Sequence, residues 1–280
     1  MKPVRVIFVG RASSGKSLGY ADFPRPHLVQ DIDNKVEETF LYFYRGRVPI
    51  KRIDNYAQFD QDNLTDIQYI EVKDFEPMYQ DMKQILANPP AGTWTIDSLT
   101  AIADGAISYS LSQRGKTGKS TGVIPIPDLP EWLSESMFLS SLMTEVKSLP
   151  CNFVLTAHIS IVEREIMTTQ DEKRQNPFAA GTTTKVTKQV MTGGTKIGAK
   201  IPTYFSEIWN FRAIPPSNPL DKPEFKVYTG PTDDYDQTRT KFPLDYEIDV
   251  TVKEGETKPS LWQIVDAARR SVIAETNLVL

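Results

Sequence analysis

The sequence predicts an α/β fold: a mostly parallel central sheet flanked by helices, a β-rich C-terminal extension and a final helix. Three observations predict it. Strand-like and helix-like segments alternate along most of the chain, the pattern of a parallel sheet with helices on both faces. The segment CNFVLTAH at 151–158 is apolar almost throughout, as strands covered on both sides are. The first strand-like run, VRVIFV at 4–9, passes directly into a glycine-containing loop at 10–17.

Each element follows in turn. The loop at 10–17 opens a short helix that Pro24 and Pro26 end. HLVQDID (27–33) reads as a second strand, apolar and then acidic. Residues 34–66 carry no clear period. IQYIEV (67–72) alternates as a strand does. Asp74 is placed to cap a helix through about Asn88, with Phe75, Met78, Met82, Ile85 and Leu86 on one face. Pro89, Pro90 and Gly92 break it. WTIDS (94–98) is the next strand, 99–112 a helix, and 131–148 an amphipathic helix after the proline-punctuated stretch 125–130. The strand at 151–158 follows. Residues 163–203 show no sustained periodicity and are long for a connection inside a compact domain. Strands are expected at 207–214, 224–230 and 246–250, and a last helix over 259–276 with Leu261, Ile264, Val265 and Ala268 as its apolar stripe. The division expected is a core at 1–250 and a helical tail at 251–280.

Composition narrows the function classes. The chain has 280 residues, 40% hydrophobic and 24% charged, ample for a core. It contains no run of about 18 apolar residues, so no membrane span is expected. A single cysteine, Cys151, forbids an internal disulfide and suits a reducing, cytoplasmic setting. It reads as a small buried apolar residue. Two histidines and one cysteine leave little for a zinc site. The net charge is −4, but residues 111–122 and 163–200 are each +3, which leaves −10 for the remainder. Positive charge is thus gathered into two segments rich in Gly, Ser and Thr.

The loop GRASSGKS, Gly10–Ser17, fits the pattern G-x-x-x-x-G-K-[ST] with a strand before it and a helix after it. That arrangement cradles phosphates. Backbone amides of Gly10, Arg11, Ala12, Ser13, Ser14 and Gly15 close around them. The Lys16 ammonium neutralises β- and γ-phosphate oxygens, and the Ser17 hydroxyl ligates Mg²⁺. Such a loop needs a carboxylate for the metal on a neighbouring strand, and Asp97 at the carboxyl end of WTIDS supplies it. Hydrolysis needs a group to orient water. Asp33 after the second strand is the first candidate, with Asp31 and Glu37 behind it. His158, at the end of the apolar strand, is placed to hydrogen-bond a γ-phosphate and move the segment that follows.

GRASSGKS, then IDS, then LTAH followed by a long segment that ends near TGG (192–194), together resemble the RecA-type ATPase core over roughly residues 4–245. The short loop helix running into FPRPHLVQDID resembles the minimal, phage-encoded branch, the core-only RecA-like single-strand annealing proteins and their nucleotide-binding relatives. The resemblance implies ATP and Mg²⁺ as cofactors, held by Lys16, Ser17 and Asp97. Asp33 falls where the family keeps its acidic residue, as Asp where RecA itself has Glu. His158 falls where a polar sensor links ATP to the DNA-binding loop. In QTRTKF (237–242), Arg239 and Lys241 resemble the two basic residues that reach the γ-phosphate of a neighbouring subunit, in the order opposite to the usual one.

The same resemblance makes 113–128 and 163–200 the two DNA-facing loops. They offer Arg114, Lys116, Lys119, Lys173, Arg174, Lys185, Lys188, Lys196 and Lys200, with Phe178 the one aromatic in the second. Phosphate contacts with few stacking platforms suit backbone tracking of single-stranded DNA without sequence preference. The expected function is an ATP-dependent, ATP-hydrolysing protein that binds single-stranded DNA and oligomerises on it, as filament or ring, for recombination or annealing. A single-strand-binding protein is a further expected partner, and the cytoplasm, the host's for a phage-encoded chain, the expected location. Two other classes fit the loop: a small-molecule or nucleotide kinase with 163–200 as lid, and a non-hydrolysing nucleotide-binding scaffold.

Overall fold

The computed structural model describes residues 2–43, 48–114, 127–167, 182–216, 223–233, 235–251 and 259–276. β1 (Arg5–Gly10) lies inside the sheet with both faces covered. Alternate side chains therefore enter different cores: Ile7 and Val9 one, Val6 and Phe8 the other. This is why the strand reads as an unbroken apolar run.

α1 (Lys16–Gly19) follows the loop, and β2 (His27–Asp31) comes next. A helical turn, α2 (Val36–Glu38), leads to the edge strand β3 (Ile50–Ile53) and to β4 (Ile67–Glu71). Then come α3 (Phe75–Ala87), β5 (Thr93–Asp97), α4 (Leu99–Gln113), α5 (Leu129–Val146) and β6 (Asn152–Met167). β7 (Thr182–Val190), α6 (Thr195–Lys200), β8 (Glu207–Ile214), β9 (Glu224–Tyr228), β10 (Glu247–Asp249) and α7 (Leu261–Thr276) complete the chain.

The fold is mixed α/β, a large and mostly parallel sheet flanked by helices, with a β-rich C-terminal part and a last helix. Among the described residues the strand order is β10-β9-β8-β1-β6-β5-β2-β4-β3, with β7 pairing β6 off this path. Pairing is parallel from β3 through β8 and antiparallel for β8–β9 and β9–β10. The carboxyl ends of β1, β5 and β2 therefore lie on one edge with His158 of β6, where ligands of open α/β sheets collect.

α3, α4 and α5 cover one face, with Met82, Ile102 and Leu139 packed against Trp94, Ile96 and Leu155. α1 and α7 cover the other, with Leu18, Leu261 and Val265 against Phe8, Trp209 and Phe211. Each such fully buried side chain contributes about 1.5–3 kcal/mol relative to exposure. The Trp262 ring of α7 lies 4.9 Å from the Phe23 ring, so the C-terminal helix is seated on this core. None of the described helices is long and apolar enough to cross a membrane.

Two readings need correction. The strand expected to stop at His158 continues to Met167 and pairs antiparallel with β7 over nine residue pairs, from Ile159↔Val190 to Met167↔Thr182. Residues 163–167 and 182–190 of the segment expected to lack regular structure thus belong to a two-stranded ribbon. TTTKVTKQV is rich in β-branched residues, which suit a strand. TTTKVTKQV does not alternate apolar with polar residues, so it leaves little period to read. The second strand also ends earlier than expected, at Asp31, which leaves Asp33 in the following loop.

Candidate nucleotide-binding site

The loop at 10–17 closes over the end of β1, and each of its two glycines answers a steric demand. At Gly15 the backbone is left-handed (φ 89°, ψ 12°), and a Cβ there would lie 2.7 Å from Phe225 Cδ1. At Gly10 a Cβ would lie 2.5 Å from the Phe211 carbonyl oxygen on the neighbouring strand β8.

Lys16 is 6% exposed, and its ammonium turns back across the loop, donating to the carbonyls of Arg11 (2.8 Å) and Gly10 (3.2 Å). Burial pulls its pKa down to about 8. The nearby Asp97 and Asp33 oppose that fall and Lys35 adds to it. The ammonium is therefore poised to gain from an anion that replaces the lost water.

Beside it lies a set of oxygens. Ser17 Oγ donates to Asp97 Oδ2 at 2.8 Å, and Tyr20 Oη to the same oxygen at 3.0 Å. Thr156 Oγ1, from β6, donates to Asp97 Oδ1. A buried carboxylate survives desolvation only with such donors. A hydroxyl and a carboxylate at this spacing, beside a phosphate cradle, suit Mg²⁺, which takes few protein oxygens and completes its shell with phosphate and water. Ser17 and Asp97 thus fit the metal expected of them. Among the described residues no group of three or more His, Cys, Asp or Glu side chains is arranged to hold a metal on its own.

Across a cleft of about 220 Å³ from the loop stands Asp33. Burial pushes its carboxyl up, but the nearby His158 ring, the hydrogen bond from Ser98 and the Lys35 charge outweigh that and hold it below the usual range. Ser98 Oγ donates to Asp33 Oδ1 at 3.1 Å. His158 sits between the two halves of the site, its Nδ1 3.4 Å from Lys16 Nζ and its Nε2 3.8 Å from Asp33 Oδ2. β6 puts it there, because its register with β1 pairs His158 with Gly10, the first residue of the loop.

The two reserve acids have other work. Asp31 accepts the amides of Lys35 (3.0 Å) and Val36 (2.9 Å), which caps α2, and Glu37 accepts from Tyr69 Oη at 3.0 Å. Their neighbours Lys35, Glu38 and Thr39, with Phe225, line the cleft instead. The sequence reading missed these four, along with Tyr20 and Thr156. Three come from the stretch without a period, and the others are ordinary core residues until the fold sets them beside the loop.

The remaining site residues are scattered. Arg239 was expected to reach a neighbouring subunit, but its guanidinium donates to the Pro202 (2.6 Å) and Phe205 (2.8 Å) carbonyls of its own chain. The β-bridge between Ile208 and Arg239 fixes it there. Lys241 is exposed, two residues on. Of the basic residues expected to face DNA, Arg114 lies 3.6 Å from the buried Glu131. Lys188 donates to the Asp233 carbonyl, Lys200 stands 5.5 Å over the Tyr204 ring, and Lys196 is exposed. Lys185 lies on β7 opposite Arg164. Lys116, Lys119, Lys173 and Arg174 fall outside the described residues.

Neither the protein-family models nor the curated proteins include a match to this chain. Among solved structures it is similar to the flagellar accessory protein FlaH from Methanocaldococcus jannaschii. The identity is 9%, over 90% of this chain and 86% of that one, with a TM-score of 0.40, a likeness too distant to bear on function.

Proposed function

We propose that this chain binds MgATP in the 10–17 loop, hydrolyses it, and uses its nucleotide state to control a basic β-ribbon that meets single-stranded DNA, as a recombination or annealing protein does. One observation carries the reading. His158 touches the loop lysine on one side and faces Asp33 on the other, and the ribbon begins at the next residue. Its carbonyl also accepts the amide of Met191 at 2.7 Å, so both legs of the ribbon are rooted at this histidine.

The division of labour follows from the chemistry. Lys16 neutralises phosphate charge, and Ser17 and Asp97 hold the metal, which when bound spreads the charge building on the transferred group. Asp33, kept ionised by Ser98 and the nearby His158, accepts a hydrogen bond from the attacking water and lines it up. Lys16 bonded to a γ-phosphate no longer needs its loop carbonyls, and its distance to His158 changes with it. With Arg239 engaged within its own chain, Lys241 is the cation left to act on a neighbouring subunit.

The test is the binding of a fluorescent oligo-dT in a salt titration, with and without MgATP, alongside Lys16→Ala. Affinity should rise with MgATP, fall steeply with salt as phosphate contacts require, and lose its nucleotide dependence in Lys16→Ala. No oligonucleotide binding at low salt in either state would end the DNA reading. MgATP binding alone would then leave a nucleotide-binding protein of another kind.

A further inference from the structure

α5 carries two buried carboxylates, Glu131 and Glu135, one turn apart and both 0% exposed. A charge so placed is costly unless it is paired or hydrogen-bonded. Glu131 is engaged at the helix start. Its Oε2 accepts the amide of Asp128 at 2.7 Å, and its Oε1 lies 3.6 Å from Arg114 Nε at the end of α4. It thereby joins Arg114, just before segment 115–126, to Asp128, two residues after it.

Glu135 serves the other basic segment. Its Oε1 accepts the amide of Gly193 at 2.9 Å. Gly193 is pressed flat on α4 and α5. A Cβ there would meet Ile107 Cδ1 at 2.4 Å, Trp132 Cζ3 at 2.6 Å and Glu135 Oε2 at 3.0 Å. The two residues before it are tied as closely. The Met191 amide donates to the His158 carbonyl, the Met191 carbonyl accepts from Thr100 Oγ1 at 3.3 Å, and Thr192 Oγ1 donates to the Gly194 carbonyl at 2.8 Å. Residues 191–194 therefore form a knot that meets three elements: β6 at His158, the first turn of α4 just past Asp97, and α5 at Glu135. Burial pushes the Glu135 carboxyl up, as does Asp104, and the amides of Gly193 and Gly194 pull it back.

We propose that Glu135 is a positioning residue: it pins the returning leg of the ribbon to α5, so that a displacement at His158 is passed to the ribbon and, through Glu131 and Arg114, to the segment after α4. This rests on the nucleotide reading above and adds a route by which one site sets both basic segments at once. Glu135 lies outside the cleft at the loop, so its loss leaves the nucleotide contacts intact.

The experiment measures hydrogen exchange of the β6 and β7 ribbon amides in the full chain, with and without MgATP, and MgATP affinity by calorimetry. The variants are Glu135→Ala, Glu135→Gln and Gly193→Ala. Wild type should bind MgATP and change its ribbon exchange at least fivefold. Glu135→Ala and Gly193→Ala should bind MgATP within about threefold of wild type and lose that change. Glu135→Gln, which keeps an acceptor for the Gly193 amide, should restore most of it, a rescue that general loosening of the fold would not give. An undiminished ribbon response in Glu135→Ala, with MgATP still bound, overturns the proposal and leaves the nucleotide reading standing. Absence of MgATP binding by wild type overturns both.

Discussion

Lys16 gives the sharpest test of the nucleotide reading, because its burial ties affinity to pH. In the free protein its pKa is drawn to about 8, by desolvation first. A bound triphosphate restores a counter-charge and returns the pKa toward the ordinary lysine value of about 10.4. Between those values binding takes up a proton, so affinity weakens as pH rises. From a free pKa near 8, the dissociation constant should grow about 25-fold from pH 7.5 to pH 9.5, or about 2 kcal/mol. Over the same range, proton uptake should climb from roughly a quarter to nearly one per site. ATP itself is almost fully ionised throughout that window and adds little. Calorimetry in two buffers of different ionisation heat reads both quantities. Lys16→Ala should bind weakly and without the slope. A wild-type dissociation constant constant within twofold from pH 7.5 to 9.5 would refute the argument, since the ammonium would then be charged in the free loop.

Three further outcomes follow from the same geometry. Gly15→Ala forces a side chain into left-handed backbone, at about 1–2 kcal/mol, and against Phe225, so its urea midpoint should fall and MgATP binding be lost; an unchanged midpoint would contradict the contact at 2.7 Å. Asp33→Asn should slow hydrolysis by about 10²–10⁴ with MgATP affinity altered less than about fivefold, and a wild-type rate would remove Asp33 from the chemistry. Asp31 has its pKa raised to about 7, chiefly by burial, with Asp97 and Asp33 adding to the rise and the Lys35 and Val36 amides opposing it. The stability linked to this raised group is present in acid and lost as pH climbs through 7, by up to about 4 kcal/mol relative to an ordinary carboxyl. Asp31→Asn cannot lose it. The stability difference between variant and wild type should therefore move in the variant's favour from pH 4 to pH 8 in urea titrations, and a difference that does not change with pH would refute the burial argument.

What could be read from the chain, and what could not, divides along physical lines. Gly10–Ser17 and Asp97 were legible because their spacing and their place at strand ends are both local properties. α3 and α5 were legible because one covered face imposes a 3.6-residue period. β6 beyond His158 was not, since ISIVEREIM and TTTKVTKQV show no sustained period that marks two paired strands. Residues 34–66 were opaque for another reason: the pieces there, a three-residue helix, a π-turn, a short 3-10 turn and a four-residue edge strand, are too short to repeat a pattern. The surroundings of Arg239 could not be read from its motif: the bridge to Ile208 turns its guanidinium onto two carbonyls of its own chain. Glu135 was invisible because it looks like one more polar residue on an amphipathic helix until Gly193 arrives from 58 positions away.

The placing of β6 is what the proposed coupling between the loop and the ribbon rests on. It lies between the strand of the loop and the strand of Asp97. Residues two apart on a strand share a face, so Thr156 and His158 emerge on the same side. The first donates to Asp97 and the second reaches Lys16 and Asp33. One strand therefore reaches Asp97, Lys16 and Asp33 together. The ladder then continues at Ile159↔Val190 with no intervening turn. A hinge after His158 would absorb a small displacement. A continuous strand carries it outward, and the knot at 191–194 holds the opposite leg to the same histidine. The coupling proposed above thus needs no large rearrangement, only that His158 shift if a bound phosphate draws its lysine neighbour away.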